Sequence, residues 1–593
     1  MMIMKRILNI SAIALSVLLL AGCDNFLDTE SLTKKNTGNF PKNEVDAGQM
    51  IASIYAIMND NIADPECDPF YVFEMAGDDR LGGGSQSNIG AQSCDRLMND
   101  IIDKFKPFWE SRYAGIFRAN FAIKAIDEIP ETEWNNYEMH DQYLGEAHVM
   151  RAFYLFNLAQ IFGQAPMPLT IEAANLPKSS ADEMYAQIAS DLKFAITHMP
   201  ASKYPTYGEG HASKWAAEGL MARVWLFYTG FYKKDSLPLP ADEGGSISKS
   251  DVIGWLEDCI KNSGHALISD QRNLWPYTNP YTAKDYKYVQ DVLANEGVAL
   301  EWATDENIES MFGVKFSNKP GWNKPDLRHN RIVEYFGFRK SSASCFPFVP
   351  QGYSNGPVCL TLWEDWAKDP NYAGDYRREG SICKRAVEIP EYGGDTAKEV
   401  ENTDLIAKKY FGCAAYDTDG SLRQSYAYFY GGENDKQTGL TQAIIWLRFA
   451  DVLLMHSELT DGAVIYNGKS GLNAVRERAK LPDVAYSLDN LKKERRYELC
   501  FEAVRWNDLR RWGDVEVIVR NQEGNAILNQ GAEGVYQWQA NHQFMDRYNA
   551  TGGGFFKIPE SQVTLSEGVL EQNPGWEKAE SDFAKGDLPY FKK

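Results

Sequence analysis

Apolar residues recur at helical spacing through the stretch YLGEAHVMRAFYLFNLAQIFG, and few other features restrict the fold so tightly. Met150, Phe153, Tyr154, Leu158, Ile161 and Phe162 fall on one face, while Leu155 and Phe156 fill another. A helix apolar on several faces must be covered on more than one of them. A second such stretch, SKWAAEGLMARVWLFYTG, repeats Ala217, Leu220, Met221, Val224, Trp225 and Tyr228 at three and four, with Gly230 as a C-terminal stop. The same reasoning predicts helices over about 45–61, 105–128, 182–198, 251–267, 441–460 and 489–512. Their succession points to stacked helix pairs of tetratricopeptide type, although no fixed repeat period is present. Between about 271 and 435 the pattern changes. Gly, Pro, Asn and aromatics accumulate there, and only short strands such as SMFGVKF are expected. The expected fold is therefore mainly α, a helical scaffold over 40–270 and 436–593 that carries a long irregular, short-strand insertion. No linker or low-complexity tract divides residues 23–593, which read as a single domain.

The first 22 residues belong to a different category. Lys5 and Arg6 precede an apolar run from Ile7 to Leu20, too short to span a bilayer, and the run ends in Leu20-Ala21-Gly22-Cys23 before turning acidic at Asp24. This pattern resembles the lipobox of bacterial lipoproteins. It implies a signal peptide over 1–22 and acylation of Cys23, and two or more chains on one cysteine suffice for stable anchoring. Removing the leader leaves 59 basic residues against 82 acidic, a net charge of −23. A body this acidic repels nucleic-acid phosphates and anionic lipid. Eight further cysteines remain, and none stands in a C-x-x-C pair, so the usual zinc and thioredoxin-like patterns are missing. Cys67 and Cys94 bracket GDDRLGGGSQS and are expected as two thiols, a disulfide between them being the alternative.

Near the C-terminus, LKKERRYELCFEAVRWNDLRRWG places Leu499, Ala503, Trp506 and Arg510 along one helical face. Glu502 and Arg505, and Arg505 and Asp508, stand three apart and can pair. So dense a charge set reads as structural. This stretch resembles the carboxy-terminal signature of the SusD/RagB family of nutrient-uptake lipoproteins. The segments GEAHVMRAFYLFNLAQIFGQAPMPL, ASKWAAEGLMARVWLFYTG, WLRFADVLLMHSEL and FFKIPESQVTLSEGVLEQNPGW follow the family's order, as does the DNFLD after Cys23. The resemblance is weakest over about 60–100 and 270–435. Cys500 replaces a commoner small residue, and the family's Gly-His before the Arg is absent.

The resemblance implies a non-catalytic protein at the outer membrane. It would hold a glycan, or in some members a peptide, as a lid over a SusC-like TonB-dependent transporter. It implies no cofactor and no metal. Sugars offer flat C–H faces and rings of hydroxyls, so a receptor needs aromatic platforms and a few fixed polar groups. Asp78, Asp79 and Arg80, before Gly82-Gly83-Gly84, are the polar candidates, with a solvated turn or structural metal site as the alternative. Trp275, Tyr277, Trp322, Phe348 and Tyr353 are the aromatic candidates, each in a loop context where plain packing is the commoner role. A surface glycoside hydrolase is the rival class. Adjacent Asp78 and Asp79 make a poor acid/nucleophile pair, since neighbours on a strand point oppositely. His-Glu-x-x-His and a Walker loop are absent.

Overall fold

A computed structural model describes residues 40–59, 65–82, 88–205, 210–317, 329–338, 345–349, 351–392, 400–530, 535–538, 543–578, 580–583 and 591–592. Cys23 and Trp322 lie outside them. The fold is largely helical with a few short strands, as the periodicity predicted. Helix α1 (Glu44–Tyr55) is followed by α2 (Pro69–Ala76) and α3 (Ile89–Arg96), and then by five longer helices. These are α4 (Lys106–Ile126), α5 (Glu138–Phe162), α6 (Ala181–His198), α7 (Lys214–Tyr232) and α8 (Lys249–Asn262). Each packs on the next: α4 on α5, α5 on α6, α6 on α7 and α7 on α8. Helix α5 is consequently covered on several sides, and even Glu146 and Gln142 are buried in it. Local chemistry sets the starts. Ser180 with Glu183 and Ser248 with Asp251 form reciprocal capping boxes at the heads of α6 and α8, and Ser213 caps α7.

Gly230 does not stop α7, which runs on to Tyr232. A Cβ there would lie 2.7 Å from the backbone oxygen of Arg511, so this glycine lets another helix approach closely. The chain leaves the scaffold after α8 and returns through a two-stranded antiparallel ribbon. Strand β1 (Ser310–Val314), the expected SMFGVKF strand, pairs with β2 (Ile444–Arg448) in the register Ser310 to Arg448 and Val314 to Ile444. The helix expected over 441–460 is thus a strand first and a helix only from Phe449. In the insertion, the described residues include short helices as well as strands: α9 (Arg331–Phe336) and α10 (Leu360–Lys368) are examples. Val358, Leu362, Trp366, Ile382 and Leu405 form a small core of their own with Tyr497 and Phe501.

The returning scaffold comprises α11 (Phe449–Leu459), α12 (Gly471–Arg478), α13 (Leu488–Leu499), α14 (Arg505–Trp512) and α15 (Glu516–Gln522). The single helix expected over 489–512 is two. Phe501 and Ala503 adopt positive φ angles of 65° and 59° and turn the chain between them. Helix α14 then packs on α7 and α2. Cys67 and Cys94 are buried thiols with no disulfide between them.

Candidate functional site

The break between α13 and α14 creates an ion-pair web in which the sequence's polar candidates are consumed. Asp78 is fully buried, and Asp79 and Arg80 nearly so. Arg505 on α14 grips Asp78 with two hydrogen bonds of 2.7 and 3.0 Å, and the side-chain amide of Asn521 donates to the same carboxylate at 2.6 Å. Arg496 on α13 donates to Asp79 at 2.7 Å. Arg80 donates to Glu74 at 2.8 Å and to the carbonyl of Gly356 at 2.9 Å. Its guanidinium lies 3.9 Å from the Phe336 ring centroid. Burial alone would raise the Asp78 carboxyl, but Arg496 and Arg505 hold it well below the ordinary range. Asp79 goes the other way, because burial and the neighbouring Asp78 charge outweigh Arg496 and Arg505. These three residues are buried, away from the surface that a ligand would meet. They are the clamp that ties the start of the chain to its signature helices.

The signature charges also pair elsewhere than expected. Glu502 accepts from Arg448 at 2.6 Å and Lys409 at 2.7 Å, whereas Asp508 accepts from Arg495 and Arg511, each at 2.8 Å. Glu498 takes Arg377 and Arg448 at 2.8 and 2.6 Å and also Arg478. Burial opposes its ionisation, yet the surrounding guanidiniums depress its carboxyl far below the usual value. A structural role for the motif stands, though through remote partners.

Three of the aromatic candidates are core residues as well. Trp275 and Tyr277 are inaccessible to solvent, Trp275 packing on Tyr410 and the Tyr277 hydroxyl donating to the carbonyl of Gly380 at 2.7 Å. Phe348 is buried between Phe411, Phe338 and Tyr286. Burial against other rings excludes these as sugar platforms.

Tyr353 is different: it is 41% exposed. Its ring stands 4.9 Å from that of Tyr335 at 52°, and the Arg331 guanidinium sits 5.4 Å over the Tyr335 ring. Periodicity could not have nominated Arg331 and Tyr335, which occupy a helix of only six residues. The frame beneath is fixed. The Tyr353 backbone donates to the Glu334 carbonyl at 3.1 Å, and a Cβ on Gly352 would meet the Gly337 backbone at 2.3 Å. Asn355 donates to the Tyr71 hydroxyl at 2.9 Å and accepts from Asn88 at 2.7 Å, tying the loop to α2 and the head of α3. Arg331 pairs with Glu334 at 3.1 Å, and Gln437 donates to the same carboxylate. Two phenols set at an angle, beside a guanidinium and side-chain amides, offer ring faces and hydrogen-bond partners without obliging the backbone to move. A cleft of about 720 Å3 opens beside the clamp, edged by Lys492, Lys493 and the clamp's own Arg496 and Arg505. The two lysines there are matched by Asp514 and Asp369.

Comparison with known proteins agrees with this architecture. Residues 25–226 match a family model described as starch-binding and associating with the outer membrane, and residues 361–576 match the SusD family model. The SusD-like protein P25 of Formosa agariphila is 24% identical over 550 residues, covering 87% of this chain and 92% of its own. Among solved structures, a laminarin binding SusD-like protein superposes with a TM-score of 0.65 at 22% identity, over 90% of this chain and all of the other. The surface glycan-binding protein A of Bacteroides thetaiotaomicron, solved with laminarihexaose, gives 0.62 at 19% identity, over 89% and 98%.

Proposed function

The chain belongs to the SusD/RagB family, and on that premise we propose that it is a non-catalytic receptor that captures a neutral glycan and passes it to a SusC-like TonB-dependent transporter. The observation that carries this reading is the exposed Tyr353 ring beside Tyr335 and Arg331, on a loop pinned to two helices. Its ligand class agrees with the names of the similar solved structures, two of which include laminarin or laminarihexaose. Trp322 keeps its place as a candidate platform from sequence alone. Cys23 is the lipid anchor in this proposal and holds the protein at the cell surface.

The transporter contact is assigned to the helical side. There Phe117 and Leu565 are largely exposed, and a groove of about 590 Å3 runs between Trp109, Tyr113, Pro168 and Leu570. A stable interface on it should exceed about 1,000 Å2. Affinity electrophoresis of the purified chain through gels containing laminarin, starch, xylan or mannan tests capture: retardation without released reducing sugar is expected. Turnover abolished by a single carboxylate change would contradict a receptor. Cys23→Ala should be lost from washed outer membranes, and a tagged chain in mild detergent should bring down a large barrel.

A further inference from the structure

A second group of rings, remote from Tyr353 in the chain, has no part in the receptor surface just described. The stretch YAYFY forms a short 3-10 turn, Tyr426–Tyr430, capped by Ser425 and closed by Gly431 at a φ of 82°. Tyr426 points inward and packs edge-on against Trp302 at 5.3 Å. The next three rings do not bury. Tyr428 is 38% and Tyr430 42% exposed, so each keeps more than a third of its surface in water. Yet they are not loose. Phe429 stacks on Tyr281 at 4.2 Å and 10°, and Tyr430 stands edge-on to Tyr281 at 5.7 Å and to Trp302 at 5.8 Å. The Arg423 guanidinium covers the Tyr428 ring at 4.6 Å and is itself held by Asp417 at 2.8 Å.

From this arrangement we infer that Tyr428, Phe429 and Tyr430, braced by Tyr281 and Trp302, form a second sugar-binding platform. Resting on the glycan reading above, it takes rings of the same neutral polysaccharide farther along the chain. Sugar C–H faces match flat rings that are already immobilised, so little side-chain freedom is lost on binding. Phenol hydroxyls and the Arg423–Asp417 pair at the edge supply donors and acceptors for ring hydroxyls. The net charge of −21 disfavours an anionic chain. The two surfaces are also joined. Gln437, whose amide donates to Glu334 beside Tyr335, is only seven residues beyond Tyr430. Their Cα atoms therefore lie within about 25 Å, a span that one extended glycan can cross. A receptor with two such platforms favours long chains over short ones, because the second contact is made at high effective concentration.

The test uses the full soluble chain with Tyr428→Ala/Tyr430→Ala, a single Tyr428→Ala as a milder variant, and Tyr353→Ala. Affinity electrophoresis reads binding of laminarin, starch, xylan and mannan, and calorimetry reads a trisaccharide of whichever polymer is retained. The double variant should lose about tenfold in polysaccharide affinity with trisaccharide binding unchanged, the single variant should lose less, and Tyr353→Ala should weaken both. Equal polysaccharide retention by wild type and both variants overturns the second platform and leaves the first intact. Retained affinity together with lost copurification of the barrel overturns it in favour of a protein contact. A wild type that binds none of the polymers sinks the glycan reading and this inference together.

Discussion

Two regions of the insertion's border use the same residue types for opposite ends. Around Asp78 and Glu498, carboxylates are sealed from water and each is held by two or more guanidiniums. Around Tyr353 an arginine and tyrosines stand at the surface with their partners arranged below them. What separates holding from binding is the number of partners already in place. A charged group fully paired in a dry interior is costly to disturb and offers nothing to a ligand. A group braced on one side and wet on the other is cheap to alter and can exchange water for a sugar hydroxyl.

Changes in the web should therefore act on stability and changes at the surface on affinity. The largest expected effect is that of Glu498→Ala, which takes a shared buried carboxylate from Arg377, Arg448 and Arg478 at once. Breaking a buried pair costs about 3–5 kcal/mol, so denaturant unfolding should show a loss of that order or a chain that does not accumulate. Asp78→Asn comes next: it keeps the shape but removes the charge facing Arg496 and Arg505. A loss of about 2–3 kcal/mol is expected, on the scale of charged hydrogen bonds. A loss below about 0.5 kcal/mol would mean that the clamp does not hold the fold.

Acid titration sharpens the same contrast. Burial pushes the Asp95 carboxyl up to about 6 despite Arg96 beside it. The folded chain then binds a proton that the unfolded chain has released, so this group's contribution is full below pH 4 and is lost as pH rises through 6. Asp95→Asn keeps the oxygen that accepts from Gln522 at 2.9 Å. It should flatten the fall in unfolding free energy between pH 4 and 6, a change of about 1–3 kcal/mol across that window. A fall of undiminished steepness would assign the titration to another group. Gly230→Ala should cost about 1–3 kcal/mol, the range for overpacking, because backbone rather than a mobile side chain meets the new methyl.

The helical scaffold was legible because α5 and α7 carry their apolar residues at a period that only a helix satisfies. The break at Phe501 and Ala503 was not, since neither residue type announces a positive φ. The site was harder still. Charge before glycines looked like a wet loop, but the partners of Asp78 and Asp79 are more than 400 residues away, and no spacing rule reaches them. Trp275, Tyr277 and Phe348 show that an aromatic beside proline in an irregular stretch packs inward when the insertion builds its own interior. Only Tyr353 among the described candidates kept its exposure. Its partners Tyr335 and Arg331 sit in a helix too short to carry a period.

The most direct test sets Tyr353→Ala beside Asp78→Asn and measures the unfolding free energy and the affinity for the polysaccharide that the wild type retains. Tyr353→Ala should keep its stability within about 0.5 kcal/mol, as surface changes do, and lose about tenfold or more in affinity, near 1.4 kcal/mol. Asp78→Asn should show the reverse, a less stable chain whose folded fraction binds as the wild type does. Unchanged affinity in Tyr353→Ala, or a loss of affinity in fully folded Asp78→Asn, would contradict the division between clamp and receptor surface.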